Sequence, residues 1–291
     1  MKLARYRAGG EARIGAVMAD RIVDLRRVGV ETADMLDIIE GGPAMLARIA
    51  GGLAGVDAGA DDGLPLDSVQ LLAPLRPRKF LGLGMNYRRH AEEARRLGIA
   101  VPDNQVWFNK QTSCVNDPFG AIEPGVTAKL DYEVELGVVI GRAAKSVKAA
   151  DALDHVFGYL VVNDISARDW QFHSPTFTLG KSFDTHGPIG PWIVTADEID
   201  YPAALPIRCL VNGEVRQDSN TDQFIHSIGA QIEYLSTAFT LEPGDILSTG
   251  TPEGVGAAMT PPRFLQPGDV VRCEIEGIGA IENRIARGGG T

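Results

Sequence analysis

At 291 residues, 44% hydrophobic and 23% charged, the chain has the composition of a soluble globular protein able to bury a substantial core. A formal net charge of −10 without any basic block excludes nucleic acid as an expected partner, and no apolar run approaches membrane-spanning length. The three cysteines, Cys114, Cys209 and Cys273, are scattered without CxxC spacing, and the first residues carry no apolar signal-peptide core; a cytoplasmic protein with reduced thiols is expected.

Alternation in KLARYR and ARIGAVMADRIVDLRRV, with turn-prone Gly9, Gly10 and Asp20, predicts a short N-terminal β-meander. Thr32 to Ile49 reads as one or two helices, and Gly51 to Gly63, rich in Gly, Ala and Asp, as a loop or linker. That change of composition predicts a small N-terminal domain over 1–70 and a larger catalytic domain over 71–291. Beyond residue 70 short β-type runs dominate, among them FLGLG, EVELGVVIG, YLVVND, PWIVTA and IRCLVNGEV. Helical patterns are few: Tyr87 to Leu97, Ala149 to Asp154 and Ser227 to Phe239. Many strands, few helices and no βαβ alternation predict a β-rich α+β fold.

The chemistry lies in DYEVELGVVIG, Asp131 to Gly141, and VVNDISARDWQ, Val161 to Gln171. Glu133 and Glu135 flank Val134, so in a strand both carboxylates emerge from one face. Asp164 ends the apolar run YLVVND and can bring a third carboxylate to the same place. Three hard oxygen ligands without His or Cys favour Mg2+, with Mn2+ or Ca2+ as alternatives, over zinc. The plain alternative puts Glu133 and Glu135 on the wet face of an edge strand. His90 and Glu93 are i and i+3 neighbours in NYRRHAEEARRLG, close enough for the carboxylate to orient the imidazole, although a solvent-exposed helix histidine would share this pattern. An acidic chain that takes an anionic substrate needs local cations, and Arg168 and Lys181 stand near the acids in sequence.

The chain resembles the fumarylacetoacetate hydrolase family over about its last three-quarters, through LGLGMNYRRHAEE, DYEVELGVVIG, NDISARDWQ, GKSFDTHGPIGPW, VNGEVRQDSNT, LEPGDILSTGTPEGVG and PGDVVRCEIEGIG, in the family's order. The resemblance implies a mixed β-sandwich or β-roll core and a homodimer acting on a small oxo-acid substrate. It implies that Glu133, Glu135 and Asp164 hold the metal, and that His90 and Glu93 activate the attacking water. By the same resemblance Lys181 is catalytic and Tyr87, Arg168, Gln171 and Thr251 bind substrate. Leu83 stands where the family's founding animal enzyme has a further Asp, which points to the three-carboxylate version found in acylpyruvate hydrolases and oxaloacetate decarboxylases. The expected activity is hydrolysis of a carbon–carbon bond in a 1,3-dicarbonyl acid; decarboxylation or isomerisation of an oxo-dienoate is the alternative. Glu253 is the alternative acidic partner of His90, and His173 and His186 are further candidates for pocket contacts.

Other motifs fail. GKS at Gly180 to Ser182 has Pro175 where a P-loop needs its first glycine, and Gly82-x-Gly84 has Tyr87 at the third glycine of a dinucleotide fingerprint.

Overall fold

The strand Val134–Ile140 (VELGVVI) is buried along its whole length because neighbours flank it on both sides. It pairs antiparallel with Val156–Asn163 on one side and with Ile246–Ser248 on the other. Such a central strand needs apolar side chains on both faces, which explains its continuous rather than alternating pattern. A computed structural model of the chain describes residues 1–56, 63–96, 98, 100–200 and 202–287.

The main sheet has twelve strands. Its path runs Leu64–Pro65, Arg21–Asp24, Glu11–Met18, Lys2–Ala8, Gly187–Thr195, Val156–Asn163, Val134–Ile140, Ile246–Ser248, Phe80–Gly84 and Val106–Lys110. Pairing is antiparallel except where Ile246–Ser248 meets Phe80–Gly84 and where Val115–Asn116 joins Gly187–Thr195. A second, four-stranded sheet, Glu214–Asn220, Pro206–Val211, Val270–Ile275 and Gly279–Arg284, covers one face. Val134, Leu136 and Val138 pack there against Ile207, Cys209, Val271 and Cys273, so the predicted β-sandwich core is present. The cysteines are free thiols, as expected.

On the opposite face Val139, Leu160, Val162 and Ile193 pack against Leu3, Ile14, Met35, Ile38 and Ile39. The N-terminal meander is thus an extension of the main sheet, with Leu3 registered opposite Ile193. The expected boundary near residue 70 coincides with no break in sheet or core, because the N-terminal strands have an unpaired edge of the larger sheet available to them. Helix α1 (Met35–Leu53) supplies Met35, Ile38, Ile39 and Ile49 to that layer. Asp34 caps it by accepting from the Leu36 amide at 3.0 Å. Gly42, at φ 56°, and Pro43 break it into two segments, which is why the sequence reads as one helix or two.

Helix α2 (Arg88–Arg96), the single turn α3 (Arg168–Gln171) and α4 (Ile228–Ala238) complete the helices of the described residues. The predicted helix Ala149 to Asp154 is only a 3-10 turn, Ala152–His155, since so short a segment cannot propagate without packing. Of the predicted Gly51 to Gly63 loop, residues 51–53 continue helix α1, which ends at Leu53, and residues 57–62 lie outside the described residues, as does Leu97 at the predicted end of α2. Among the described residues no helix is long and apolar enough to cross a membrane.

Candidate active site

Antiparallel pairing of Val134 with Asn163 and Glu135 with Val162 puts the end of one strand beside the start of the other. Asp164 follows immediately, and its amide donates to the Glu133 carbonyl at 2.8 Å. Glu133, Glu135 and Asp164 therefore converge, with ligand oxygens all within 4.8 Å of one another. Their exposures of 6%, 1% and 0% rule out the wet edge strand. On the same face Gly137 leaves no Cβ, and Leu160 and Val162 fill that space, so the carboxylates stand on a packed floor. The Glu135 Oε2 atom accepts from Ser248 Oγ at 2.6 Å and from the Gly250 amide at 2.8 Å.

Buried acids need compensating cations. Lys181 Nζ donates to Glu133 Oε2 and Asp164 Oδ2, both at 2.7 Å, and Lys110 Nζ donates to Asp164 Oδ1 at 2.6 Å and to the Lys181 carbonyl. Arg168 bonds Glu133 Oε1 at 2.7 Å and Asp131 Oδ2 at 2.9 Å. Its acidic partners are thus Glu133 and Asp131 and not the adjacent Asp169, whose carboxylate is held by Thr127 and the Ala128 amide. Burial alone would raise the Glu133 carboxyl, but Lys181 and Arg168 reverse this and hold it well below the carboxylate range. Glu135 goes the other way: burial, then Asp164 and Glu133, push its carboxyl well above the ordinary value. Burial would also lower the Lys181 ammonium, and Asp164 and Glu133 raise it instead.

A cavity of about 290 Å³ opens over these groups, lined by His90, Glu93, Glu133, Glu135, Arg168, Gln171, Lys181 and Thr251 at its polar end. Helix α2 presents His90 and Glu93 to it, with Nδ1 of the imidazole 2.9 Å from Glu93 Oε2. The Gly254 amide donates to the other Glu93 oxygen at 3.3 Å, which ties the helix to the STGTP loop. Gln171 Oε1 accepts from Arg168 Nη1 at 3.0 Å and steadies the guanidinium.

Tyr87 departs from the expectation. Its side chain is fully buried away from the cavity wall, edge-on to Phe224 with ring centroids 5.0 Å apart, because its backbone bridges to Phe224 before α2 begins. The Thr251 hydroxyl is committed as well, donating to the Val134 carbonyl at 2.9 Å and accepting from Gln217 Nε2 at 2.9 Å. Thr251 thus faces the cavity as a fixed strut of the strand that bears Glu135. Glu253 pairs with Arg89 at 3.4 Å, outside the cavity lining, while Glu93 holds His90. His186 donates from Nε2 to the Glu123 carbonyl at 2.9 Å, and burial pushes its imidazole down to about 4, so it is a neutral core residue. His173 is exposed against Trp170 and does not line the cavity; its neighbours Phe172 and Phe177 do.

Sequence reasoning missed Lys110, Asp131 and Phe108. Lys110 and Phe108 alternate with exposed Asn109 in the strand Val106–Lys110, so a lysine on the buried face was the available signal. Asp131 accepts from the Gly256 and Ala257 amides as well as from Arg168, which fixes the guanidinium.

Three buried carboxylates with converging oxygens, and Glu135 left short of positive charge, fit a hard divalent cation. The carboxylate cluster has the donor set of an oxygen-ligated metal site, with cations and a His–Glu pair on the same cavity. The sequence model described as fumarylacetoacetate (FAA) hydrolase, C-terminal, matches residues 79–286, and the chain belongs to this family. It is 46% identical over 226 residues to a mitochondrial oxaloacetate tautomerase of Xenopus laevis, covering 76% of this chain and 70% of that protein. A fumarylacetoacetate hydrolase of Exiguobacterium antarcticum superposes with a TM-score of 0.85 at 38% identity, covering 98% of this chain and 99% of that one. The maleylpyruvate hydrolase of Sphingobium sp. SYK-6, solved with manganese(II) and pyruvate, gives 0.81 at 31% identity, covering 99% and 100%.

Proposed function

We propose that the chain hydrolyses a carbon–carbon bond in a 1,3-dicarbonyl acid of the acylpyruvate or 2,4-dioxo acid type. The observation that carries this reading is the His90–Glu93 pair on the cavity wall, facing the three carboxylates. Glu133, Glu135 and Asp164 would hold the metal, Mg2+ in our reading. When bound there, a divalent cation supplies Lewis-acid polarisation of the substrate's carbonyl oxygens and offsets the charge of the enolate that leaves.

The chain's own residues do the rest. Arg168, steadied by Asp131 and Gln171, and Lys181 orient the substrate's carboxylate and oxo group. Glu93 accepts the Nδ1 proton of His90, which leaves Nε2 as the lone-pair nitrogen. Nε2 takes a proton from water as its oxygen adds to the distal carbonyl carbon. The bond from that carbon to the methylene breaks, its electron pair passes to the enolate, and His90 returns the proton.

Tautomerisation of an oxaloacetate-like acid is the second reading, favoured by the identity to the Xenopus tautomerase. The same base would then move a proton between carbon and oxygen without water adding. The test is turnover of 2,4-dioxo acids and of oxaloacetate by the purified protein, with and without Mg2+, with cleavage products followed by mass and enol–keto conversion by the ultraviolet absorbance of the enol. Hydrolysis predicts pyruvate and a carboxylic acid from the dioxo acid, dependent on Mg2+. Enol–keto conversion of oxaloacetate with no cleavage of any dioxo acid would sink the hydrolase reading.

A further inference from the structure

The cavity lining combines two chemistries: acids, cations and an amide (Glu133, Glu135, Arg168, Lys181 and Gln171) and apolar side chains that include Phe108, Phe172 and Phe177. Among the described residues the only basic side chains on the lining are Arg168, Lys181 and His90, and each already bonds a carboxylate of the site. None of the four arginines of α2 lines the cavity: Arg88 reaches the Asp222 carbonyl, Arg89 reaches Glu253, and Arg96 turns back to the Glu92 carbonyl.

Three rings lead away from the polar end. Lys181 Nζ lies 5.0 Å from the Phe108 ring centroid, Phe108 is 6.3 Å from Phe177, and Phe177 is 5.5 Å from Phe172. Phe172 is 68% exposed, so the ring series ends at the surface. Phe177 holds its ring on this wall from a backbone φ of 58°, a left-handed conformation unfavourable for an aromatic residue. Such local strain, set at the wall of a cavity beside the catalytic groups, points to a use for the ring there.

We propose that these rings select the substrate's far end, and that the preferred substrate is a 2-oxo acid with an uncharged hydrocarbon tail rather than a second carboxylate. The proposal rests on reading the polar end as the seat of the oxo-acid head. A tail carboxylate would leave water for an apolar wall on which no described residue offers a free cation, close to buried acids of its own sign, whereas a hydrocarbon tail gains from the same wall. The relatives named for oxaloacetate and for maleylpyruvate carry names of diacids, so the preference would separate this chain from them.

The test is titration calorimetry of the Mg2+-loaded protein with 2-oxobutanoate, 2-oxohexanoate and 2-oxoadipate. Affinity should rise by roughly fourfold per methylene from 2-oxobutanoate to 2-oxohexanoate. 2-Oxohexanoate should bind at least about thirtyfold more tightly than 2-oxoadipate, which differs by its terminal carboxylate. Phe172→Arg, at an exposed position that does not threaten folding, should narrow or reverse that gap. Equal or tighter binding of 2-oxoadipate to the native protein would overturn the tail preference while leaving the oxo-acid reading intact. Failure of all three acids to bind would overturn both.

Discussion

Glu135→Gln should stabilise the metal-free protein while weakening its hold on a divalent cation. The glutamine oxygen can keep the bonds from Ser248 Oγ and the Gly250 amide, so the change removes charge and little else. The ligand oxygens of Glu135, Glu133 and Asp164 lie within 4.8 Å of one another, and at an effective dielectric of about 20 two unit charges so placed repel by roughly 3.5 kcal/mol. Lys181 offsets part of this repulsion. A net stabilisation of about 1 to 3 kcal/mol is expected at neutral pH. Burial, then Asp164 and Glu133, hold the Glu135 carboxyl above its ordinary value of 4.5, so its protonated form favours the folded state. That contribution is present below pH 4.5 and is lost as pH rises through the raised value, so the advantage of the variant in chelator should grow with pH. Metal binding displaces the same proton, and the apparent Mg2+ affinity of the native protein should rise with pH over the same range. Thermal unfolding in chelator at several pH values, with calorimetry of Mg2+ binding, reads both effects. Affinity should fall about tenfold or more in the variant. An unchanged Mg2+ affinity, or a stability gap that does not grow with pH, refutes the reasoning.

His90→Ala should lower hydrolytic kcat by roughly 10²- to 10⁴-fold while oxaloacetate decarboxylation, which needs no attacking water, falls less; an equal loss in both would remove the water-activating role. Lys110→Met leaves Asp164 Oδ1 buried without its ammonium partner and should cost about 3 kcal/mol, read as a lowered unfolding midpoint in denaturant. Helix α2 buries only Ala91 and Ala94 and is otherwise held by polar ties to Asp222, Glu253 and Gly254, so amide exchange over 88–96 should slow when oxalate and Mg2+ are added. Equal protection with and without ligand would make the helix a fixed wall.

The convergence of three carboxylates was legible because a period of two puts Glu133 and Glu135 on one face whatever the fold, and the family motifs order Asp164 after them. The placement of His90 and Glu93 followed from helical spacing, and helix α2 presents both to the cavity. Tyr87 was not legible: its burial depends on Phe224, which the sequence gives no reason to bring alongside. Neither was the commitment of the Thr251 hydroxyl, since Val134 and Gln217 meet it only once the two sheets pack. The change of composition near residue 70 predicts a boundary but says nothing of strand pairing, and the pairing of Leu3 with Ile193 carries the main sheet across it. In the stretch Gln171 to Phe177, His173 is a candidate for a pocket contact by sequence and lies outside the cavity lining, whereas the left-handed backbone at Phe177 is a property that no residue pattern there announces.

Hydrolysis, as opposed to a proton shift or loss of carbon dioxide, is tested most directly by turnover of a 2,4-dioxo acid in oxygen-18 water with Mg2+. If His90 and Glu93 activate water, the released carboxylic acid should carry one labelled oxygen beyond that introduced by carbonyl exchange in an enzyme-free control, and His90→Ala should lose this label and the cleavage together. Turnover of the dioxo acid that leaves its carbon chain intact, or cleavage without label beyond the control, would contradict the account.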